Sequence, residues 1–325
     1  MKRFSIIILF LLFVLILSSC VVKEITPENN YDDLELKIET DKNYIKVLQL
    51  TDVHLTYWYD SYDRKTINLI DDLLDKDINL IIITGDITLS IFEVFLINKF
   101  GKYIDSLNIP WTISWGNHDS YFSNRKKETE ALLSENYKNI IFSKGSDLGP
   151  ESGIGNFRIK TYLNNKLFFN FYLLDSNVIP EDKSLEYTSN YGYFSPRQVS
   201  WYQNLASKDL VSSMMVMHIP LYEYESGTII KGEINEPVCY QGLDTGIFQV
   251  IKNETLTKYV IAGHDHTNDA IIEEDGIYLI YGKSTGYNGY GNTKKGVRYF
   301  LIYENYLATY TSDLTNKVMD YYETK

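Results

Sequence analysis

Tyr259-Val260-Ile261-Ala262-Gly263-His264-Asp265-His266 decides how this 325-residue chain is read. Four apolar residues in a row, ended by glycine, read as a strand buried on both faces. Two imidazoles and a carboxylate follow at once. The same grammar recurs upstream. Asp52-Val53-His54 follows the apolar run Tyr44 to Leu50. Gly85-Asp86 follows Leu80 to Ile83, Gly116-Asn117-His118-Asp119 follows Trp111 to Ser114, and His218 closes Met214 to Met217. All five histidines of the chain therefore sit at or just beyond the carboxyl end of an apolar run. In α/β sheets the loops at those ends converge on the ligand crevice. Singly, each block is ordinary: an Asp-x-His pair is commonly surface, and Gly-Asp is a common strand-ending turn. Scattered structural histidines would not choose strand ends every time.

Working outward, Leu34, Leu36 and Ile38 alternate with charges as in a half-buried strand, and Thr40 to Asn43 supplies a turn. Tyr44 to Leu50 is then the expected partner strand. Helices are predicted over 63–77, 91–107 (with Gly101 a weak point), 126–133 and 196–206, the last with Ser195 as cap and Pro196 in its first turn. Lys166 to Leu174 reads as a strand, as do Ile271-Ile272, Ile277 to Tyr281, Val297 to Tyr303 and Tyr306 to Tyr310. Helices alternate with strands early and strands dominate late, which is an α/β chain with substantial mixed sheet. No composition break divides 34–325, so one domain is the simplest reading.

The first residues read as an address. Lys2 and Arg3 precede an apolar run from Ile6 to Leu17, which ends in Leu17-Ser18-Ser19-Cys20. That order is a secretory signal over 1–19, and the run is short for a membrane span. The Leu-Ser-Ser-Cys ending resembles a bacterial lipobox. The resemblance implies an exported protein, held at the extracytoplasmic face of the membrane by a lipidated Cys20. Residues 20–33 then form a polar tether. With only Cys20 and Cys239 present, a disulfide framework is excluded.

The net charge is −12, with no Lys/Arg-rich run, which argues against a nucleic-acid-binding coat. A phosphorylated substrate must be attracted by something other than the protein's net field. Mixed imidazole and carboxylate donors suit manganese, iron, zinc or cobalt rather than calcium or magnesium. Two divalent or mixed-valence ions held by two carboxylates leave a locally positive centre. Such a pair can activate water and stabilise both oxygens of an in-line displacement.

Together, Asp52-x-His54, Gly85-Asp86, Gly116-Asn117-His118-Asp119, His218 and Gly263-His264-x-His266 resemble the calcineurin-like metallophosphoesterase superfamily, all blocks being present in order. Gly263 to Asp269, followed by Tyr281 to Tyr287, is more loosely similar to its purple-acid-phosphatase-like branch. The resemblance implies a four-layer fold, two packed mixed β-sheets flanked by helices. It implies that Asp52, His54 and His266 bind one metal, that Asn117, His218 and His264 bind the other, and that Asp86 bridges both. His118 would stabilise the transition state and protonate the leaving oxygen, with Asp119 orienting its ring or serving only the turn. Purple acid phosphatases carry a metal-binding tyrosine shortly after the Gly-Asp block. Ile87-Thr88-Leu89-Ser90 stands here instead, so the tyrosine-to-iron bond is not expected.

The leading function is hydrolysis of phosphomonoesters, on a small molecule or a phosphoprotein, by two-metal-activated water. Phosphodiesterase activity on nucleotides or lipid headgroups would use the same residues. A metal-bearing lipoprotein that only captures phosphorylated ligands is the third reading, and it has no use for His118. Leu221 to Gln241 is charged and turn-rich, a candidate substrate lid or a solvated excursion. Tyr287 to Gly291 is a candidate loop near the site.

Overall fold

The computed structural model describes residues 31–176 and 191–325. The leader over 1–19, Cys20 and the tether as far as residue 30 lie outside the described residues. Strands β1 (Asp33–Ile38), β5 (Phe157–Leu163), β6 (Lys166–Leu173), β7 (Ser213–Val216), β8 (Thr228–Lys231), β9 (Thr257–Ala262), β10 (Ile271–Glu274) and β11 (Ile277–Tyr281) form one sheet, in the order β1-β5-β6-β7-β9-β11-β10-β8. Strands β2 (Tyr44–Leu50), β3 (Leu80–Thr84), β4 (Trp111–Ser114), β12 (Gly296–Tyr303), β13 (Leu307–Asp313) and β14 (Met319–Glu323) form the second, in the order β14-β13-β12-β2-β3-β4. Both sheets are mixed: β6, β7, β9 and β11 run parallel, as do β2, β3 and β4, and antiparallel strands extend each sheet.

Alternation explains the layers. In β9, Tyr259 and Ile261 enter the core shared with the six-stranded sheet, whereas Val260 and Ala262 enter a second core. In β7, Met214 and Val216 take the first side and Met215 the second. Helices α4 (Pro196–Ala206) and α6 (Ile247–Glu254) close the second core with Tyr202, Phe248 and Ile251. Ile70 of α1 (Ser61–Leu73) and Leu96, Phe100 and Ile104 of α2 (Glu93–Ser106) join the first core. Two sheets flanked by helices result, and strands buried on both faces lose their amphipathic signature. Two further helices are α3 (Arg125–Ser134) and the single-turn α5 (Glu223–Ser226).

Ser195 and Gln198 close a reciprocal capping box on α4, with Pro196 in its first turn. Gly101 sits inside α2 because a side chain there would meet the Tyr137 hydroxyl at 2.5 Å. Three expectations are corrected. β1 and β2 do not pair: β1 lies at the edge of the larger sheet, parallel to β5, and β2 lies between β12 and β3 in the other. The connection 39–43 crosses between sheets, and Asn164 holds it by bonding both the amide and the carbonyl of Thr40. The first helix starts at Ser61 under an Asp60 cap rather than at Asp63, whose buried carboxylate serves the amides of Thr56 and Tyr57, and it ends at Leu73. The ordered fold also begins before Leu34, since Ser143 donates to the Tyr31 carbonyl and Asp32 accepts from Ser146.

Candidate metal centre

The strands β2, β3 and β4 of one sheet and β7 and β9 of the other deliver their carboxyl ends to one place. Beneath it, Gln49 bridges the sheets, donating to Thr84 Oγ1 at 2.9 Å and to the Ala262 carbonyl at 3.1 Å. The chain must turn sharply there. Asp52, His54, Asp86 and His264 all adopt positive φ, between 50° and 78°. For non-glycine residues this costs roughly 1–3 kcal/mol each, which packing elsewhere must offset. Gly85, at φ +84°, has no room for a side chain: a Cβ would lie 2.5 Å from the Gly116 nitrogen and 2.8 Å from His218 Nδ1.

The donors fall into two groups sharing one carboxylate. Asp52, His54, Asp86 and His266 form the first, and Asp86, His218 and His264 the second, the donor atoms of each lying within 4.8 Å of one another. His54 Nε2 and His266 Nε2 are 2.9 Å apart, and His266 Nε2 is 3.4 Å from Asp52 Oδ1. Asp86 Oδ2 lies 3.6 Å from His54 Nε2 and 3.3 Å from His218 Nε2, so it faces both groups. Asn117 Oδ1, 3.1 Å from His218 Nε2, extends the second group. His264 presents Nδ1, 3.2 Å from His218 Nε2. All seven candidate ligands expected from the sequence are thus brought together.

The donor set fits cations. The two carboxylates and the rings of His54, His218, His264 and His266 are buried, and ring nitrogens converge on one another and on Asp oxygens. His218 Nδ1 is 2.7 Å from the Thr84 carbonyl, which fixes the tautomer that leaves Nε2 as a lone-pair donor. Burial works against charge on Asp52 and Asp86. The surrounding imidazoles, His266 and His218 for Asp52, His218 and His54 for Asp86, outweigh it and hold both carboxyls below their usual range. Burial drives His54 down to about 4 and His264 to about 3, the neutral form a ligand needs. His218 goes the other way: burial lowers it, but Asp86 and Asp52 overcome that and push it up to about 9. Below pH 9 a cation must therefore displace a proton from His218. Affinity for the ion it binds should fall about tenfold per pH unit on acidification. Competition with a chelating dye at several pH values measures this, and a pH-independent affinity would contradict it.

His118 stands apart from the ligands. Its backbone N–H donates to Asp86 Oδ1 at 2.8 Å, and its ring lies edge-on to His54 at 5.3 Å. Among the described residues the ring nitrogens have no hydrogen bond, and the residue is partly exposed. Asp119 does not orient that ring. Its carboxylate is buried and accepts from four backbone amides, those of Asp86, Ile87, Thr88 and Gly116, at 2.7–3.2 Å. The two neighbours leave the Asn117–Ser120 3-10 turn in different directions. Asp119 is a clamp on the loop that carries Asp86.

Other supports were not evident beforehand. Tyr290 stacks on His266 at 4.0 Å, within the 287–291 loop whose glycines and tyrosines had marked it. A Cβ on Gly289 would lie 2.7 Å from His266 Nδ1 and 3.2 Å from His54 Cδ2. Gly289→Ala should therefore push both rings and weaken one ion about 10- to 100-fold, the range for disturbing the shell around a metal. Wild-type affinity by calorimetry would contradict this. Leu221 to Gln241 is mostly exposed or half-buried, yet it is tied into the fold at both its strand and the site. It supplies α5 and edge strand β8, then braces the histidine loop through Glu236 to the Thr267 amide and Asp265 to the Cys239 amide.

Residues 45–268, more than half of the chain, match the calcineurin-like phosphoesterase family. The chain belongs to that family. The protein named probable inactive purple acid phosphatase 14 of Arabidopsis thaliana is 25% identical over 86% of this chain and 79% of its own length. The protein named phosphatase DCR2 of Saccharomyces cerevisiae is 28% identical over 75% of this chain and 48% of its own. The chain spans about half the length of this relative and of a matching protein of Schizosaccharomyces pombe. A crystal structure of a dimetal phosphatase from Danio rerio superposes with a TM-score of 0.63, at 16% identity, over 87% of this chain and 99% of the other, and so shares the fold. A buried Asp/His cluster in this family's fold suits two metal ions.

Proposed function

We propose that this protein hydrolyses phosphoesters, monoesters in preference to diesters, with two metal ions held by Asp52, His54, Asp86 and His266 and by Asp86, Asn117, His218 and His264. One observation carries the reading: the Asp86 carboxylate faces both donor groups while an untethered imidazole, His118, stands beside them. Bound there, the cations would neutralise phosphate charge and make a water acidic enough to attack phosphorus. The chain's own residues do the rest. Thr84 and the amides on Asp119 hold ligands and loop in place before substrate arrives, so little reorganisation is left for the reaction. His118 gives a proton to the leaving oxygen. The relatives named phosphatases support the reaction type, and the Arabidopsis relative's name makes activity the point to test. The purified protein, loaded in turn with manganese, zinc and iron, should hydrolyse monoesters faster than diesters and stop on chelation. Chelator-resistant activity, or no turnover with any metal, would contradict the reading.

We also propose that the enzyme works outside the cytoplasm, anchored through lipidated Cys20, on the strength of the basic, apolar and Leu-Ser-Ser-Cys order of its first residues. Radiolabelled palmitate should enter the wild type and not Cys20→Ser. Equal labelling would contradict the anchor.

A further inference from the structure

The loops that deliver metal ligands inward also present large apolar side chains outward. Beyond β2, Tyr57 is 63% exposed; beyond β3, Ile91 and Phe92; beyond β4, Tyr121 and Phe122, at 71% and 59%. The three loops adjoin. The Leu89 amide donates to the Leu55 carbonyl at 2.9 Å, joining the first two loops. The rings of Tyr57 and Phe92 are 6.2 Å apart. Glu93, next to Phe92, accepts the Phe122 amide at 2.7 Å, and the rings of Phe122 and Tyr121 are 4.9 Å apart. Tyr121 in turn stacks on the His118 ring, 6.0 Å away and inclined by 28°. Exposed apolar side chains grouped on adjoining loops mark a binding surface, and this group reaches the residue assigned to protonate the leaving oxygen.

Resting on the phosphoester reading above, we propose that this surface receives the leaving group, and that the preferred substrates are phosphoesters of aromatic alcohols. The stack of Tyr121 on His118 offers a planar partner beside the bond that breaks, and aromatic pairs of this kind favour flat rings over flexible chains. A chain of net charge −12 with no basic run is a poor match for an anionic bilayer or a nucleic acid on the same surface.

The test compares metal-loaded wild type with Phe92→Ala, Phe122→Ala and the double variant on 2-naphthyl, octyl and glycerol phosphates. Intrinsic leaving-group reactivity cancels, because each substrate is compared with itself across variants. The ratio of kcat/KM for naphthyl over glycerol phosphate should fall about tenfold in the double variant. Calorimetry should show naphthyl phosphonate binding weakened to a similar extent and methylphosphonate binding little changed. Both side chains are exposed, so the melting temperature should hold. An unchanged ratio would overturn the proposal, as would a loss confined to octyl phosphate, which would make the surface a site for hydrocarbon chains. Absence of turnover on every ester would instead contradict the proposed reaction, and the phosphonate measurement would still decide whether the surface binds aryl groups.

Discussion

Asp86→Asn will remove both ions and lower turnover by at least about 100-fold, the upper end of what disturbing a residue behind the ligands costs. Asparagine keeps the shape and can still accept the His118 amide, so the loop has no reason to collapse. The shared negative charge is lost, and with it the carboxylate oxygen that faces both His54 and His218. Chelation separates this from unfolding. Ions that bind only the folded state raise its stability by mass action. A chelator should lower the melting temperature of the wild type and leave that of Asp86→Asn unmoved. A variant that retains two ions and full turnover would remove Asp86 from the bridge.

His118→Ala is the converse case. The ring belongs to neither donor group, so both ions should stay. Loss of a positioned acid costs about 100- to 10,000-fold in turnover. The loss should be larger for alkyl phosphates, whose leaving alkoxide needs a proton, than for p-nitrophenyl phosphate, whose phenolate hardly does. Equal losses for the two would assign His118 to charge stabilisation alone.

Local pattern carried most of the site. Met214 to Met217 and Tyr259 to Ala262 read as doubly buried strands because every residue is apolar, and their ligands follow within four residues. What required tertiary structure was the choice of partner. The alternation of Leu34, Leu36 and Ile38 shows that β1 is half-buried and says nothing of which strand lies beside it, so the nearest strand was the wrong one. Of the two roles open to Asp119, orienting the His118 ring gave way to holding the turn for a related reason: adjacency to His118 does not say which way a carboxylate points, and the amides of Gly116 in its own turn and of Asp86, Ile87 and Thr88 claimed it. The contact of Gly289 and Tyr290 with His266 joins residues whose partnership no local spacing encodes, although the loop itself was visible by composition. Arg298 is a similar surprise. It is fully buried and donates to the carbonyls of Tyr281 and Asp269, tying β12 to the segments around the histidine loop.

Metal content combined with anomalous diffraction, on protein reconstituted with manganese, is the most direct test. Two ions per chain are expected, about 3.5–4 Å apart as in paired-metal sites, with an Asp86 oxygen in contact with both. A single ion, or two ions too far apart to share Asp86, would contradict the account.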